Sequence, residues 1–433
     1  MTFNLKSFEV EVTPYHYDFG LLSSQNVLCI ETPIFLRGFV LTEDHYRYCV
    51  CTVEFCIISG FFYQDLLTAI SRSTGVPLQH VTLHVSHQHD VPFFDELYHG
   101  TLMKYERSFY PYQKWLDYVN EIEGKISNEM KQTEKQVMYY SMSEQEVVEY
   151  ASDRRIFQNN KINWRSTKCQ NPELKAMPIG EIDPNLYQCV LWDSQKSPLL
   201  TLNFYASHPQ VADSRGIISS DAPGAALKRM KKLLPNTMHL YFDGCGADIG
   251  NGKFAGPSKE ADIEIFGEKL FQGMSGAYQN AKPEKISKVR WLNHTFDLPI
   301  RKPMENIDEY LQAIKSPELF QPQFKPSRFV VARNIGLFEK KASHYPFRIS
   351  RLCFNDDHIM FFPGEMFLTF QTHCITRSSG KTCVAAYGDG FVGYVPEDAD
   401  FALGGYEIDG AFQLLSPGCE KLIKSEIDKI LKL

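Results

Sequence analysis

One segment limits the possible folds most strongly, the run Val81-Thr-Leu-His-Val-Ser-His-Gln-His-Asp-Val-Pro92. It begins as a typical β-strand, passes through His87 and His89, and ends at a proline, which cannot donate a sheet hydrogen bond. Residues two apart in a strand project to the same side, about 7 Å apart along the chain. We therefore expect both imidazoles to enter one space beyond the strand, where open α/β sheets bind ligands.

A histidine pair in this position has two interpretations. One imidazole could bind a metal ion while the other moves a proton. The alternative is an ordinary core or surface pair, which is the more common case for an isolated His-x-His. His80 and His84 have the opposite parity, so a regular strand would turn them away from the pair.

Strand-like and helix-like segments alternate along the 433 residues. Apolar, β-prone runs predict strands near 34–41, 48–58, 81–86, 199–206, 238–242, 289–296, 347–354, 358–362 and 382–387. Helical patterns cover 64–73, 112–134, 223–234, 259–279, 304–314, 365–377 and 419–433. This alternation predicts an α/β fold, with layered mixed β-sheets flanked by helices and a metal site at the C-terminal ends of strands.

Composition excludes several classes of partner. A net charge of −7 without a long basic run argues against nucleic acid. No stretch of 18 uncharged apolar residues occurs, so we expect no integral membrane segment. The N-terminus lacks the regions of a secretory signal, and the eleven cysteines contain no Cys-x-x-Cys pair. We therefore expect reduced thiols and a cytoplasmic protein.

Four later segments also place polar residues where a strand-like run stops. Their candidate residues are His208 before Pro209, Asp248 in a glycine-rich turn, Glu365 after Pro363-Gly364, and Tyr394 followed by Tyr406. Each feature alone is usually structural. Together they supply two imidazoles, a carboxylate and a phenol, which suit a divalent ion such as Zn²⁺ with an open position.

Six blocks now resemble, in order, a known family. They are Glu11-Val-Thr-Pro14, Arg37-Gly-Phe-Val-Leu41, Ser86-His-Gln-His-Asp-Val-Pro92, Asn203-Phe-Tyr-Ala-Ser-His-Pro209 with Ser219-Ser-Asp221, Phe362-Pro-Gly-Glu365, and Gly393-Tyr-Val-Pro396 with Gly405-Tyr-Glu407. They resemble the neutral, non-lysosomal ceramidases and their bacterial relatives. The resemblance runs almost end to end, so we expect residues 1–433 to form a single catalytic domain with a proline-rich surface loop at about 315–326.

The resemblance implies a metal centre and its helpers. One Zn²⁺ per chain would be held by His87, His208, Glu365 and Tyr394, because the family's ligands fall on these positions. His89 and Tyr406 match the family's residues for oxyanion stabilisation.

Two further residue assignments match the family less closely. Asp221 either orients a histidine or caps a helix. An arginine that contacts substrate in the family has a possible counterpart in Arg165, with Arg154 and Arg155 as competitors.

The chain departs from the family at the serine that serves as the nucleophile in ceramidases. The family's serine turn reads Ala247-Asp-Ile-Gly-Asn251 here, so Gly250 stands at the serine position. A glycine cannot form an acyl intermediate, which leaves metal-bound water as the expected attacking group. His89 or Asp248 would then manage the proton, and Ser219 or Ser220 are weaker replacements for the nucleophile.

These observations lead to one hypothesis and two alternatives. We expect a cytoplasmic zinc-dependent hydrolase that cleaves an amide-type bond of a small molecule by metal-bound water. The chain is also expected to lack the C-terminal immunoglobulin-like domain of ceramidases. One alternative is a metal-dependent acyl-transfer, amide-processing or ester-processing enzyme of a specialised metabolic pathway, and the other is a metal-binding pseudoenzyme or scaffold.

Overall fold

Two β-sheets packed face to face form the centre of the molecule. The computed structural model describes residues 3–17, 19–21, 27–106, 111–167, 169–302, 307–315, 328–408 and 412–433. The expected proline-rich loop at 315–326 lies outside the described residues, apart from Lys315.

The described elements are numbered in chain order. The strands are β1 (Phe3–Glu11), β2 (Cys29–Ile30), β3 (Phe35–Glu43), β4 (Tyr46–Val53), β5 (Val81–Val85), β6 (Lys135–Val137), β7 (Tyr139–Glu146), β8 (Ser152–Asp153), β9 (Arg155–Gln158), β10 (Lys161–Trp164), β11 (Asn185–Trp192), β12 (Pro198–Tyr205), β13 (Ile217–Ile218), β14 (Met238–Asp243), β15 (Ile249–Gly250), β16 (Glu284–Lys285), β17 (Val289–Pro299), β18 (His344–Phe354), β19 (Asp357–Pro363), β20 (Glu365–Met366), β21 (Thr382–Gly388) and β22 (Tyr394–Val395). The helices are α1 (Gly60–Thr74), α2 (Glu96–Tyr105), α3 (Tyr112–Glu129), α4 (Pro172–Ala176), α5 (Asp221–Leu233), α6 (Lys259–Asn280), α7 (Ile307–Ile314), α8 (Arg328–Lys340), α9 (Leu368–Arg377), α10 (Asp400–Leu403) and α11 (Cys419–Lys432).

Both large sheets are mixed. The first has nine strands in the order β17-β18-β19-β21-β5-β4-β3-β1-β6, and the second has five in the order β14-β12-β11-β7-β16. Parallel pairs occur where a helical connection intervenes, as in β4 with β5, β19 with β21 and β12 with β14. The predicted α/β class with mixed sheets is confirmed.

Three apolar clusters fill the spaces between the layers. The central cluster joins side chains of both sheets, such as Phe39 and Phe361 from the first with Leu202 and Leu240 from the second. A second cluster packs α1, α3 and α11 on the outer face of the nine-stranded sheet, and a third packs α5 and α6 on the five-stranded sheet. The result is a four-layer α/β/β/α arrangement, because each sheet buries both faces.

No helix among the described residues is long and apolar enough to cross a membrane.

Candidate metal centre

The histidine pair lies just after β5 and enters one pocket. β5 ends at Val85, and His87 takes a left-handed conformation with φ of 49°, so a tight turn rather than strand alternation directs the rings. The ring centroids of His87 and His89 are 5.1 Å apart and the rings are nearly perpendicular. His84, of the opposite parity, packs against Phe242 and Phe361 between the sheets.

Three buried ligand atoms converge beside this turn. Nε2 of His87 lies 3.4 Å from Oε2 of Glu365, and Nε2 of His208 lies 3.5 Å from the same oxygen. All three atoms are within 4.8 Å of one another. The residues come from segments that follow β5, β12 and β19, so the sheet topology brings together positions far apart in the sequence.

Backbone carbonyls orient both imidazoles. Nδ1 of His87 is 2.6 Å from the carbonyl oxygen of Cys56, and Nδ1 of His208 is 3.3 Å from that of Gly246. A ring that donates from Nδ1 to a carbonyl leaves Nε2 as the electron-pair donor. Burial, together with the charge of Arg154, holds the pKa of His208 well below its ordinary value, so its ring is neutral as a metal ligand must be.

Two buried atoms without hydrogen-bond partners indicate that these residues fit a divalent ion. Among the residues that the structure describes, Nε2 of His208 and Oε2 of Glu365 are buried atoms without a hydrogen-bond partner. Leaving such atoms unsatisfied costs free energy. A cation between the two imidazole nitrogens and the carboxylate oxygen would satisfy them, and this set of atoms is one that Zn²⁺ accepts.

A short parallel ladder places Tyr394 beside Glu365. In the pairing of β20 with β22, Glu365 is directly opposite Tyr394. The ladder needs glycine at Gly393, which has φ of 88° and where a Cβ would stand 2.2 Å from the carbonyl oxygen of Phe412. The carbonyl of Gly393 also accepts a 2.9 Å hydrogen bond from the backbone N–H of Glu365.

The hydroxyl of Tyr394 belongs to a buried polar group. It accepts a 3.0 Å hydrogen bond from Nη2 of Arg154 and lies 3.0 Å from the hydroxyl of Tyr406. Burial and the Glu365 charge hold the pKa of Tyr394 well above its ordinary value. Arg154 is itself enclosed by the rings of Trp164, Tyr394 and Tyr406, with its guanidinium carbon 5.4–5.7 Å from their centroids.

A pocket of about 470 Å³ opens beside these groups. Its walls combine aromatic, cationic and acidic side chains. They are Ile57, His87, His89, Arg154, Trp164, Ser166, Gln210, Asp213, Phe329, Arg333, Glu365, Phe391, Tyr394, Tyr406 and Phe412.

Comparisons with known proteins agree with this architecture. No protein-family model matches the chain, and no curated protein matches it. Solved structures do match, among them the neutral ceramidase from Pseudomonas aeruginosa and a ceramidase complexed with C2. Each has a TM-score of 0.72 and 13% identity, and each match covers 99% of this chain and 74% of the other. The chain has the neutral ceramidase fold. The resemblance seen in six sequence blocks is confirmed at the level of the fold.

Within the neutral ceramidase fold of this chain, the sequence-predicted residues divide into two groups. The candidate ligands lie together, and His89 and Tyr406 line the pocket next to them. Asp248 does not line it. Its Oδ1 accepts a 2.9 Å hydrogen bond from the backbone N–H of Leu368 at the start of α9, and burial raises its pKa to about 8.

Of the three candidate arginines, Arg154 lines the pocket. The guanidinium of Arg165 is fully buried elsewhere and donates to the carbonyls of five residues, Asp153, Leu174, Met177, Pro178 and Ile179. Arg155 pairs with Glu407 at 2.6 Å. The predicted contact between Arg165 and a substrate has no support in this placement, because all of these hydrogen bonds hold the surrounding loop.

Asp221 and Gly250 lie outside the pocket walls. Asp221 contacts neither candidate histidine: its carboxylate accepts from the backbone N–H groups of Ala212 and Ala222. A Cβ on Gly250 would meet Arg154 at 3.6 Å, which is ordinary contact, so sterics do not require glycine there. Its equivalence with the serine of ceramidases stays a prediction.

Several pocket residues were not predicted from the sequence. Trp164, Phe391 and Arg333 reach the wall from a hairpin, a turn and a helix. Tyr387 stacks on His87 with ring centroids 4.6 Å apart, and its hydroxyl is 3.2 Å from Nδ1 of His208. Only packing between distant segments reveals these contacts.

Proposed function

We propose that this chain is a Zn²⁺-dependent hydrolase that cleaves an amide-type bond in a small molecule. The observation that carries the proposal is the convergence of His87, His208 and Glu365 on one point, with Tyr394 aligned beside them. These four residues would hold the ion. When bound, Zn²⁺ supplies Lewis acidity that polarises a carbonyl and lowers the pKa of water.

The chain's own residues account for the remaining requirements of amide cleavage. Burial raises the pKa of Tyr406 to about 12, so its hydroxyl stays protonated at neutral pH and can donate to a developing oxyanion. His89 lies on the pocket wall beside His87, where an imidazole can pass a proton to the leaving nitrogen.

Aromatic rings of the pocket wall hold the hydroxyl of Tyr406 in place. Trp164 and Phe412 pack on Tyr406 with ring centroids 4.3 and 5.5 Å away, which fixes the position of its hydroxyl. A donor held in place before the reaction needs no reorganisation when charge develops. We place the activity in one catalytic domain, and the eleven free cysteines of the chain fit a reducing compartment such as the cytoplasm.

Replacing Tyr406 tests this proposal. Tyr406→Phe keeps the ring packing but removes the donor, so kcat should fall by about 10²–10³ while bound zinc is retained. The assay measures amine released from a panel of N-acyl compounds, together with zinc content. Tyr46→Phe, at an exposed position, is the matched control.

Two outcomes would overturn the proposal. One is that chelated protein cleaves the panel as fast as zinc-loaded protein. The other is that fully loaded wild type releases amine from no member of the panel.

A further inference from the structure

A second buried guanidinium stands close to the candidate metal ligands. Arg333, from α8, is 2% exposed and lines the pocket. Its Nη2 lies 3.9 Å from where a Cβ on Gly393 would stand. Because Gly393 precedes Tyr394 and its carbonyl accepts from the N–H of Glu365, Arg333 is adjacent to the centre itself.

Arg333 contacts a buried carboxylate and an aromatic ring. Its Nε is 3.4 Å from Oδ1 of Asp95, and its guanidinium carbon lies 5.4 Å from the ring centroid of Phe329. Asp95 also caps α2 by accepting from the N–H of Tyr98. This ion pair ties α8 to α2, and the same guanidinium forms part of the pocket wall, where it can meet a ligand.

The rest of the wall indicates which anion would fit. Glu365 and Asp213 also line the pocket, and two carboxylates would repel a phosphate dianion more than a monoanion. The planar fork of arginine matches the geometry of a carboxylate. Phe391 and Phe412 offer an apolar surface for the remainder of the molecule.

We propose that Arg333 binds the carboxylate of the substrate and makes the pocket selective for N-acyl amino acids. This inference rests on the proposed function. In the reaction the amide C–N bond breaks, a C–O bond to water forms, and the two protons of water end on the amine and the new acid. The carboxylate would lie close to the scissile amide, because Nη2 of Arg333 is 3.9 Å from where a Cβ on Gly393 would stand and Gly393 directly precedes Tyr394.

The test compares a matched pair of substrates, an N-acylphenylalanine and its neutral carboxamide. Wild type should cleave the acid with at least about tenfold higher kcat/KM, the size expected from a charge-assisted hydrogen bond. In Arg333→Met the preference for the acid should disappear, because kcat/KM for the acid falls, mainly through KM, by about tenfold more than kcat/KM for the carboxamide. Arg301→Met is the control, because Arg301 donates to Asn334 and Gln413 and does not line the pocket.

A second variant separates loss of substrate binding from loss of folding. Arg333→Lys keeps a cation next to Asp95 but loses the fork, so its melting temperature should match wild type while the preference for the acid falls. Equal kcat/KM of wild type for the two substrates, or an undiminished preference in a folded Arg333 variant, overturns the inference.

A binding measurement separates this inference from the proposed function. Calorimetry with chelated protein should show that wild type binds the N-acylphenylalanine at least about tenfold more tightly than Arg333→Met does. That result supports the carboxylate site even where loaded protein cleaves no amide. Equal affinity of wild type for acid and carboxamide overturns it even where both are cleaved.

Discussion

Tyr387 illustrates how single side chains hold the candidate centre in place. It is buried, stacks on His87 and places its hydroxyl 3.2 Å from Nδ1 of His208, so one residue contacts both imidazoles. Groups that hydrogen-bond the distal nitrogen of a metal-binding histidine fix its tautomer and its orientation.

The Tyr387 hydroxyl should therefore affect zinc affinity. Tyr387→Phe keeps the ring contacts with His87 and His208 but removes the hydroxyl that lies near Nδ1 of His208, and we expect zinc affinity to fall by about 10-fold to 100-fold. Competition with a chelator of known affinity measures this change. Tyr387→Phe binding zinc as tightly as wild type would show that the carbonyl of Gly246 alone orients His208.

Residue identity was the more predictable part of this site. The strand-terminating His87 and His89, the Pro-Gly-Glu365 turn and the two tyrosines are visible as motifs, and the structure brings them together. Their catalytic and ligand roles stay predictions. Arg333 could not be found in this way, because its position depends on contacts between helices distant in the sequence.

At the scale of elements, the two-residue strands β20 and β22 matter more than their length suggests. Their parallel pairing sets Glu365 directly opposite Tyr394, and the left-handed Gly393 permits the approach of Phe412. A side chain on Gly393 would need both a backbone change and a displacement of the Phe412 segment.

We expect Gly393→Ala to lose zinc and stability together. The strained backbone alone costs on the order of 1–3 kcal/mol, and the overlap with Phe412 adds to it. Gly418→Ala is the matched control, because Gly418 has φ of 95° but no atom near its missing Cβ. Chemical denaturation and zinc content measure both effects, and equal losses in the two variants would contradict the role of the ladder.

Strands and helices were predicted best where the hydrophobic pattern of the sequence is strongest. Strands with continuous apolar runs, such as β5 and β14, lie within a residue of their predicted bounds. β7 was not predicted, because its second half alternates polar residues along an exposed face. α8 was also missed: it contains Gly336, which packs so closely on α2 that a Cβ would lie 2.6 Å from the carbonyl oxygen of Leu97.

At the scale of the whole molecule, buried aspartates connect the helices to the segments that carry the candidate metal ligands. Asp221 is 1% exposed at the start of α5 and accepts from the N–H of Ala212 in the segment that follows β12 and His208. Burial raises its pKa to about 7, and burial likewise raises the pKa of Asp248 to about 8.

These raised values set the sign of a pH effect. A group with a raised pKa in the folded state contributes stability below its unfolded pKa and loses it as pH rises through the folded pKa. Wild type should therefore lose stability relative to Asp221→Asn between about pH 4 and pH 7, by about 1.4 kcal/mol per unit of pKa shift. Denaturation across this range measures the difference between the two curves.

Parallel curves for Asp221→Asn and wild type would show that Asp221 stays ionised in the folded protein.

The most direct test is the zinc content of purified protein measured by elemental analysis. We predict one Zn²⁺ per chain in wild type and its loss in both His208→Ala and Glu365→Gln, with His294→Ala as a control because His294 pairs with Glu426 outside the site. Wild type that takes up no zinc after reconstitution, or variants that retain a full equivalent, would contradict the metal centre.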